Sequence, residues 1–405
     1  MDASEETAHT LLTAQVPSLA KALLNQIKSP KTNATVLQTG FGVLHTLLTV
    51  LPGSLSAQTP QIITISKSVL SQNSSTSTST LQLAVLSFLS LLFSSHSPSS
   101  FSGSLSSITP VLLQLLEERH PRVASETFRV FSSLISSLSP IKSGDWVDSV
   151  YNKALTRLSN HDTDAEVRAC AEECIGNLWV AAPEIMKTKG RKEWEYICRS
   201  SGKTDGAVKV VTKVASQAPV DDEWANGVMQ WLINLLQKSG RAGKAEVFGA
   251  LEVLIKSYSA GVPKNLSPAL VPHIKPYIST SDISLLAQAL TILATLLELS
   301  PETTFPEVES DVLAEIYKIS HSPLVSGPAL EVLFRLFAAL VQADDQISTH
   351  LVPNLVISSE KAPPSENNPA NVAKCIAQVV RYSQGVAAGV IAEYSKNLKV
   401  RSYAF

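Results

Sequence analysis

Proline closes one apolar segment after another along this chain of 405 residues: at Pro52 (TVLPG), Pro98, Pro140, Pro183, Pro219, Pro263 and Pro301. The successive gaps are 46, 42, 43, 36, 44 and 38 residues. Proline has no amide hydrogen and its ring clashes with the preceding turn, so each of these positions punctuates a helix. Within the intervals apolar residues recur at helical rather than alternating spacing, and aromatic residues are only 6% of the chain. Each interval holds two helical segments and a short polar turn. The chain therefore reads as all-α, built on a unit near 40 residues.

Two helices per unit at this period predict a HEAT/armadillo-type α-solenoid. A single helix pair cannot bury its own apolar face, so each pair must stack on the next. The pattern predicts one solenoid over residues 1–405 with about nine repeats, at 11–53, 54–98, 99–140, 141–183, 184–219, 220–263, 264–301, 302–345 and 346–383. Residues 384–405 read as an incomplete terminal repeat whose last apolar face needs a partner, or as the edge of a fragment. The second helices are expected to begin near Thr32, Thr80, Pro121, Asp164, Thr204, Gly243, Ser281, Pro323 and Pro369. Asp164 and Ser281 offer capping oxygens, and Pro121 and Pro323 suit a first turn. In DDEWANGVMQWLINLLQKSG, Asp221 or Asp222 can cap, Gly240 can take a left-handed stop, and Trp224, Val228, Trp231, Leu232 and Leu235 form one core stripe. The stretches 73–80, 186–193 and 358–370 read as extended inter-helix loops.

Charge and motif content narrow the function. Net charge is -2, so no global field draws the chain to nucleic acid or an anionic membrane, and neither is an expected partner. The basic run Lys187, Lys189, Arg191 and Lys192 reads as solvated loop. The longest apolar run, LQLAVLSFLSLLF, falls short of the roughly 20 residues that span a bilayer. MDASEETAHT has neither the basic nor the apolar region of a secretory signal, and Cys170, Cys174, Cys198 and Cys375 show no CxxC spacing. Free thiols in a reducing compartment are expected. The GRAGK at 240–244 lacks both the first glycine and the magnesium-binding hydroxyl of a phosphate loop, and Ser18 to Lys21 (SLAK) lacks the companion elements of an SxxK enzyme. No HExxH, GxSxG or strand-borne GxGxxG occurs, and the eight histidines are scattered. A non-enzyme is expected, with no catalytic residue, cofactor or metal.

The densest gathering of chemistry-bearing side chains is HDTDAEVRACAEECIGNL, residues 161–178. Cys170 and Cys174 stand one helical turn apart, a permissible metal spacing, with His161 just ahead. The same face, however, carries Val167, Ala171, Ile175 and Leu178, an apolar stripe in which cysteine behaves as a small hydrophobe. Buried packing is the expected role. Asp164 is placed as the cap, Glu166 in the first turn, and Glu172 and Glu173 on the opposite, solvated face, with no raised carboxyl pKa.

The order Asp164, Val167, Arg168, Ala171, Ile175, Leu178 resembles the second-helix consensus of HEAT repeats. In such repeats the aspartate caps, the arginine ties neighbouring repeats through loop acceptors, and the alanine lets helices approach. A closer resemblance covers most of the chain. ALTRLSNHDTDAEVRACAEECIGNL, GALEVLIKSYS, YISTSDISLLAQALTILATLLELSP, SPLVSGPALEVLFRLFAALV and NVAKCIAQVVR are similar, in this order, to segments of the cullin-associated, neddylation-dissociated (CAND) family. The resemblance implies a non-catalytic regulator of cullin-RING ubiquitin ligases. Such a protein wraps around an unneddylated cullin and its RING subunit, competes with the adaptor and substrate-receptor module, and works in cytoplasm and nucleus. It covers the middle of a longer family chain, which implies a second chain completing the superhelix or a fragment. Within the same fold class, the alternative is a nuclear-transport receptor, against which the small net charge argues mildly, or a phosphatase scaffold.

Overall fold

The computed structural model describes residues 3–28, 32–71, 78–142, 144–189, 192–199, 205–217, 221–258, 261–383 and 387–389. They fall into two compact units, Met1–Ala218 and Pro219–Phe405. Every regular element among the described residues is helical.

The first unit holds α1 (Ala3–Ile27), α2 (Ala34–Val50), α3 (Thr59–Leu70), α4 (Ser79–Ser95), α5 (Leu105–Leu115), α6 (Pro121–Ser137), α7 (Asp145–Ser159), α8 (Ala165–Ala181), the short α9 (Pro183–Lys187), α10 (Lys192–Arg199) and α11 (Asp205–Gln217). The stacking is serial. Second helices touch in the order α2, α4, α6, α8, α11, while first helices form a parallel series α1, α3, α5, α7, α10. The second unit repeats the scheme with α12 (Asp222–Lys238), α13 (Arg241–Ser257), α14 (Leu266–Ile274), α15 (Ile283–Leu299), α16 (Pro301–Asp311), α17 (Leu313–Ser320), α18 (Pro328–Ala343), α19 (Ser348–Lys361) and α20 (Pro369–Tyr382). There α13, α15, α18 and α20 stack in sequence.

The core is the seam between successive helices, not a centre. In the first unit Phe41 of α2 meets Phe88 of α4 edge to face at 5.5 Å between ring centroids, and Phe93 meets Phe101 at 4.9 Å. In the second unit Phe248 of α13 meets Tyr277 at 5.3 Å. These geometries add to the area each ring removes from water.

Helix starts follow local chemistry. Asn33, Thr78, Asp164, Asp221 and Asn368 each accept a backbone N–H of the following turn, and Pro121 occupies the first turn of α6. Three details differ from the sequence reading. Asp282, not Ser281, caps α15: its carboxylate accepts from the N–H groups of Ser284 at 3.1 Å and Leu285 at 3.2 Å, while the Ser281 hydroxyl pairs with that of Ser279. Pro323 lies in a turn, and α18 starts five residues on at Pro328, behind Gly327, whose φ of 54° suits a residue without Cβ. Gly240 has φ -70° and opens α13 rather than stopping α12 with a left-handed turn.

The expected loops are partly helical. Residues 73–77 and 190–191 lie outside the described residues, as do 384–386 and 390–405. Met186 and Lys187 end α9, and Lys192 and Glu193 begin α10. Across 358–370, α19 continues to Lys361, a 3-10 turn spans Pro364–Glu366, and α20 starts at Pro369. A clamp orders this connection: the Ser359 hydroxyl donates to Asn367 Oδ1 at 2.9 Å, and Asn367 Nδ2 donates to the Ser359 carbonyl at 2.9 Å.

Prolines also sit inside helices, at Pro17, Pro110, Pro272, Pro306 and Pro353, all in α1, α5, α14, α16 and α19. These are first helices. No described helix is long and apolar enough to cross a membrane.

Phe88 is fully buried at the α2–α4 seam. Phe88→Ala should therefore cost about 3–5 kcal/mol, through lost transfer energy and the cavity left behind. Chemical denaturation followed by circular dichroism checks this as an earlier unfolding transition.

Candidate functional site

The 161–178 stretch forms the turn before α8 and most of that helix. Asp164 Oδ1 accepts the Glu166 amide at 2.9 Å. Val167, Ala171, Ile175 and Leu178 are buried, as are Cys170 and Cys174, while His161 is exposed and outside this group. Burial raises the thiol pKa of Cys170 to about 11 and of Cys174, Cys198 and Cys375 to about 12, so none is a ready nucleophile near neutral pH. All four are free. Among the described residues no group of three His, Cys, Asp or Glu side chains is placed to hold a metal ion.

Arg168 does bring elements together. Its Nη1 donates to the Leu158 carbonyl at the end of α7, 2.9 Å away, and its Nη2 donates to the Tyr196 carbonyl of α10, also at 2.9 Å. One guanidinium thus ties the first helix of its own pair to the first helix of the next. Arg157 acts likewise, donating from α7 to the Leu116 and Glu118 carbonyls beyond α5 at 2.6 and 3.2 Å. The fork geometry of arginine allows one side chain to serve two carbonyls.

Glu172 corrects the sequence reading. It is 3% exposed rather than solvated, and its Oε1 stands 3.3 Å from Arg168 Nε. Burial raises its pKa to about 7, outweighing the pull of Arg168 in the opposite direction. A helix wheel assigns one buried face to α8, but this helix lies between α6 and α11, with α7 beneath it. A Cβ on Gly206 of α11 would stand 3.1 Å from Glu172 Oε2. Glu173, by contrast, is exposed as expected.

A second buried carboxylate, Glu193, lies in a stretch whose sequence reads as loop. It accepts from Tyr151 Oη at 2.7 Å and from Trp179 Nε1 at 2.8 Å, joining α7, α8 and α10. The phenol is pushed above its usual range by burial first and then by this carboxylate. The signal for α10 is present in Trp194 and Ile197, apolar at helical spacing and both buried.

Open surface remains along the second helices. In the first unit Ser94, Ser133, Ser137, Glu173, Asn177 and Lys213 line a groove of about 370 Å³ across α4, α6, α8 and α11, with the Lys213 amine donating to Asn177. In the second unit Glu298, Phe334, Arg335, Gln378 and Tyr382 line one of about 240 Å³ across α15, α18 and α20. Arg335 grips Glu298 there through Nε at 2.7 Å and Nη2 at 2.5 Å. These clefts join hydroxyl, amide and charged groups.

Comparison with known proteins agrees with this geometry. A solved structure of a mutant of the karyopherin Kap121p superposes with TM-score 0.57 and 16% identity over 94% of this chain and 39% of that one. That likeness concerns fold alone, and the class is a HEAT-type α-solenoid. The model "CAND1-like, TPR repeats" matches residues 53–175. Cullin-associated NEDD8-dissociated protein 1 of Arabidopsis thaliana is 25% identical over 398 residues, 94% of this chain and 32% of its own length. The relative named "Cullin-associated NEDD8-dissociated protein 1, C-terminal part" of Emericella nidulans is 24% identical over 65% of this chain and 27% of its own. Over most of its length the chain is distantly similar to a partial region of the CAND1/CAND2 family. It spans about a third of the length of the Arabidopsis relative.

Arg168→Ala should cost about 3–5 kcal/mol, because it strands two carbonyls and leaves Glu172 buried without its cation. The double variant with Glu172→Gln should recover part of that loss in a double-mutant cycle. Glu172→Gln alone has a pH signature. The folded state holds the Glu172 proton more tightly than the ordinary value of 4.5 allows, up to about 7. The group therefore contributes stability below pH 4.5 that is lost as pH rises through 7. Urea denaturation from pH 4.5 to 8 should show this decline in the wild type and a flatter profile in the variant.

Proposed function

We propose that this chain is a non-catalytic scaffold in cullin-RING ubiquitin ligase assembly. It binds the unneddylated cullin with its RING subunit and promotes exchange of adaptor and substrate-receptor modules in cytoplasm and nucleus. The observation that carries this is the alignment of 94% of the chain with a cullin-associated NEDD8-dissociated protein, on a fold whose second helices present open, polar grooves. The karyopherin likeness is confined to fold at 16% identity, so transport is the weaker reading. The nine helix pairs inferred from the proline punctuation are taken as the binding repeats. Because the Arabidopsis relative is about three times as long, and one relative is itself a C-terminal part, we infer that the chain acts together with a second solenoid chain.

A tagged chain should recover unneddylated cullin and RING subunit well above the neddylated form when both are offered in equal amounts. Immunoblotting of the two cullin bands decides this. Equal recovery of both forms, or of neither, would sink the reading.

A further inference from the structure

Three elements of the first unit meet at one buried carboxyl group. Arg168 of α8 donates to the Leu158 carbonyl of α7 and to the Tyr196 carbonyl of α10, both at 2.9 Å, and its Nε stands 3.3 Å from Glu172 Oε1. The other carboxyl oxygen, Oε2, is turned to α11, where a Cβ on Gly206 would stand 3.1 Å from it and 3.6 Å from Ala169 Cβ. Two small residues, Ala169 and Gly206, thus let the start of α11 approach α8, and Glu172 fills the space between them. At 3% exposure the carboxyl is withdrawn from water.

The charged groups of the surrounding elements are engaged elsewhere. On α6, Arg129 pairs with Glu126 and with Glu166. On α7, Arg157 serves the Leu116 and Glu118 carbonyls, while Lys153 and Asp148 pair with Glu117 and Lys189. On α9, Lys187 pairs with Glu184. On α11, Lys213 donates to Asn177, and Lys209 is exposed. On α10, Glu195 is exposed, and Cys198 lies close enough that burial first, and then the Glu172 carboxylate, raise its thiol pKa. Among the described residues Arg168 is the one cation paired with Glu172.

A buried carboxylate is stable only with close ionic contact and further hydrogen bonds to its remaining lone pairs. Here the contact is a single one at 3.3 Å, from a guanidinium already committed to two carbonyls. The neutral acid fits this space, whereas the anion gains by reaching water. Reaching water means leaving the gap between Ala169 and Gly206, and that gap is where α8 stacks on α11.

We propose that Glu172 is a proton-operated latch at the joint of α8, α10 and α11. Protonated, it closes the seam over Gly206; once ionised, it swings out and the seam opens around α10 and the start of α11, while α2, α4 and α6 stay stacked. The device lies within one unit and is independent of the cullin reading.

Hydrogen exchange followed by mass spectrometry on the full chain tests this at pH 6 and pH 8, with exchange times scaled to equal intrinsic rates. The closed carboxyl titrates at about 7 and a solvated one at the ordinary 4.5. Ionisation therefore favours the open arrangement as pH rises, and the opening constant read from α10 and α11 peptides should increase about tenfold over this interval. Peptides of α2 and α4 should not change. Glu172→Gln has no proton to lose and should abolish most of the increase. The wild-type comparison stands without the variant: equal protection of α10 and α11 at the two pH values would overturn the proposal. So would an increase shared equally by α2 and α4, or one kept in full by Glu172→Gln.

Discussion

Burial of the inner second helices α4, α6, α8, α15 and α18 between their two neighbours is the constraint on which each stacked unit depends. A pair such as α3 and α4 offers a core only one pair deep, too thin to stand alone. What gives α4 its buried Leu81, Val85, Phe88, Leu92 and Phe93 is that α2 and α6 cover it from opposite sides. Stability in such an architecture is a sum of weak pairs and strong seams. Substitutions on a seam should consequently be felt by two repeats at once, whereas those on the solvent arc, such as Ser87, should be felt by neither.

The polar groups at the seams follow the same logic. Burying a carboxylate is unfavourable unless it is paired or protonated. The protein uses different answers for Glu172 and Glu193. Glu193 receives two neutral donors, a phenol and an indole, and so holds α7, α8 and α10 in fixed register. Glu172 lies beside Arg168, whose other nitrogens are committed to carbonyls on α7 and α10. Arg168 is thereby a joint between repeats, and Glu172 faces the one guanidinium nitrogen those carbonyls leave over.

Much of this is legible in the chain. Asp164 as cap, Val167, Ala171 and Leu178 as the buried stripe, and Arg168 as a bridging residue can each be placed from helical spacing and from resemblance to the repeat. Glu172 cannot, because a helix wheel allots one buried face to each helix while α8 has neighbours on three sides. The same wider arc buries Asn177 and brings Gly176 so near α11 that a Cβ would stand 3.0 Å from Val210 Cγ1. Ser281 and Pro323 mislead for a different reason: several capping residues compete within a short turn, and only the three-dimensional path of 279–282 and of 321–327 decides that Asp282 and Gly327 win.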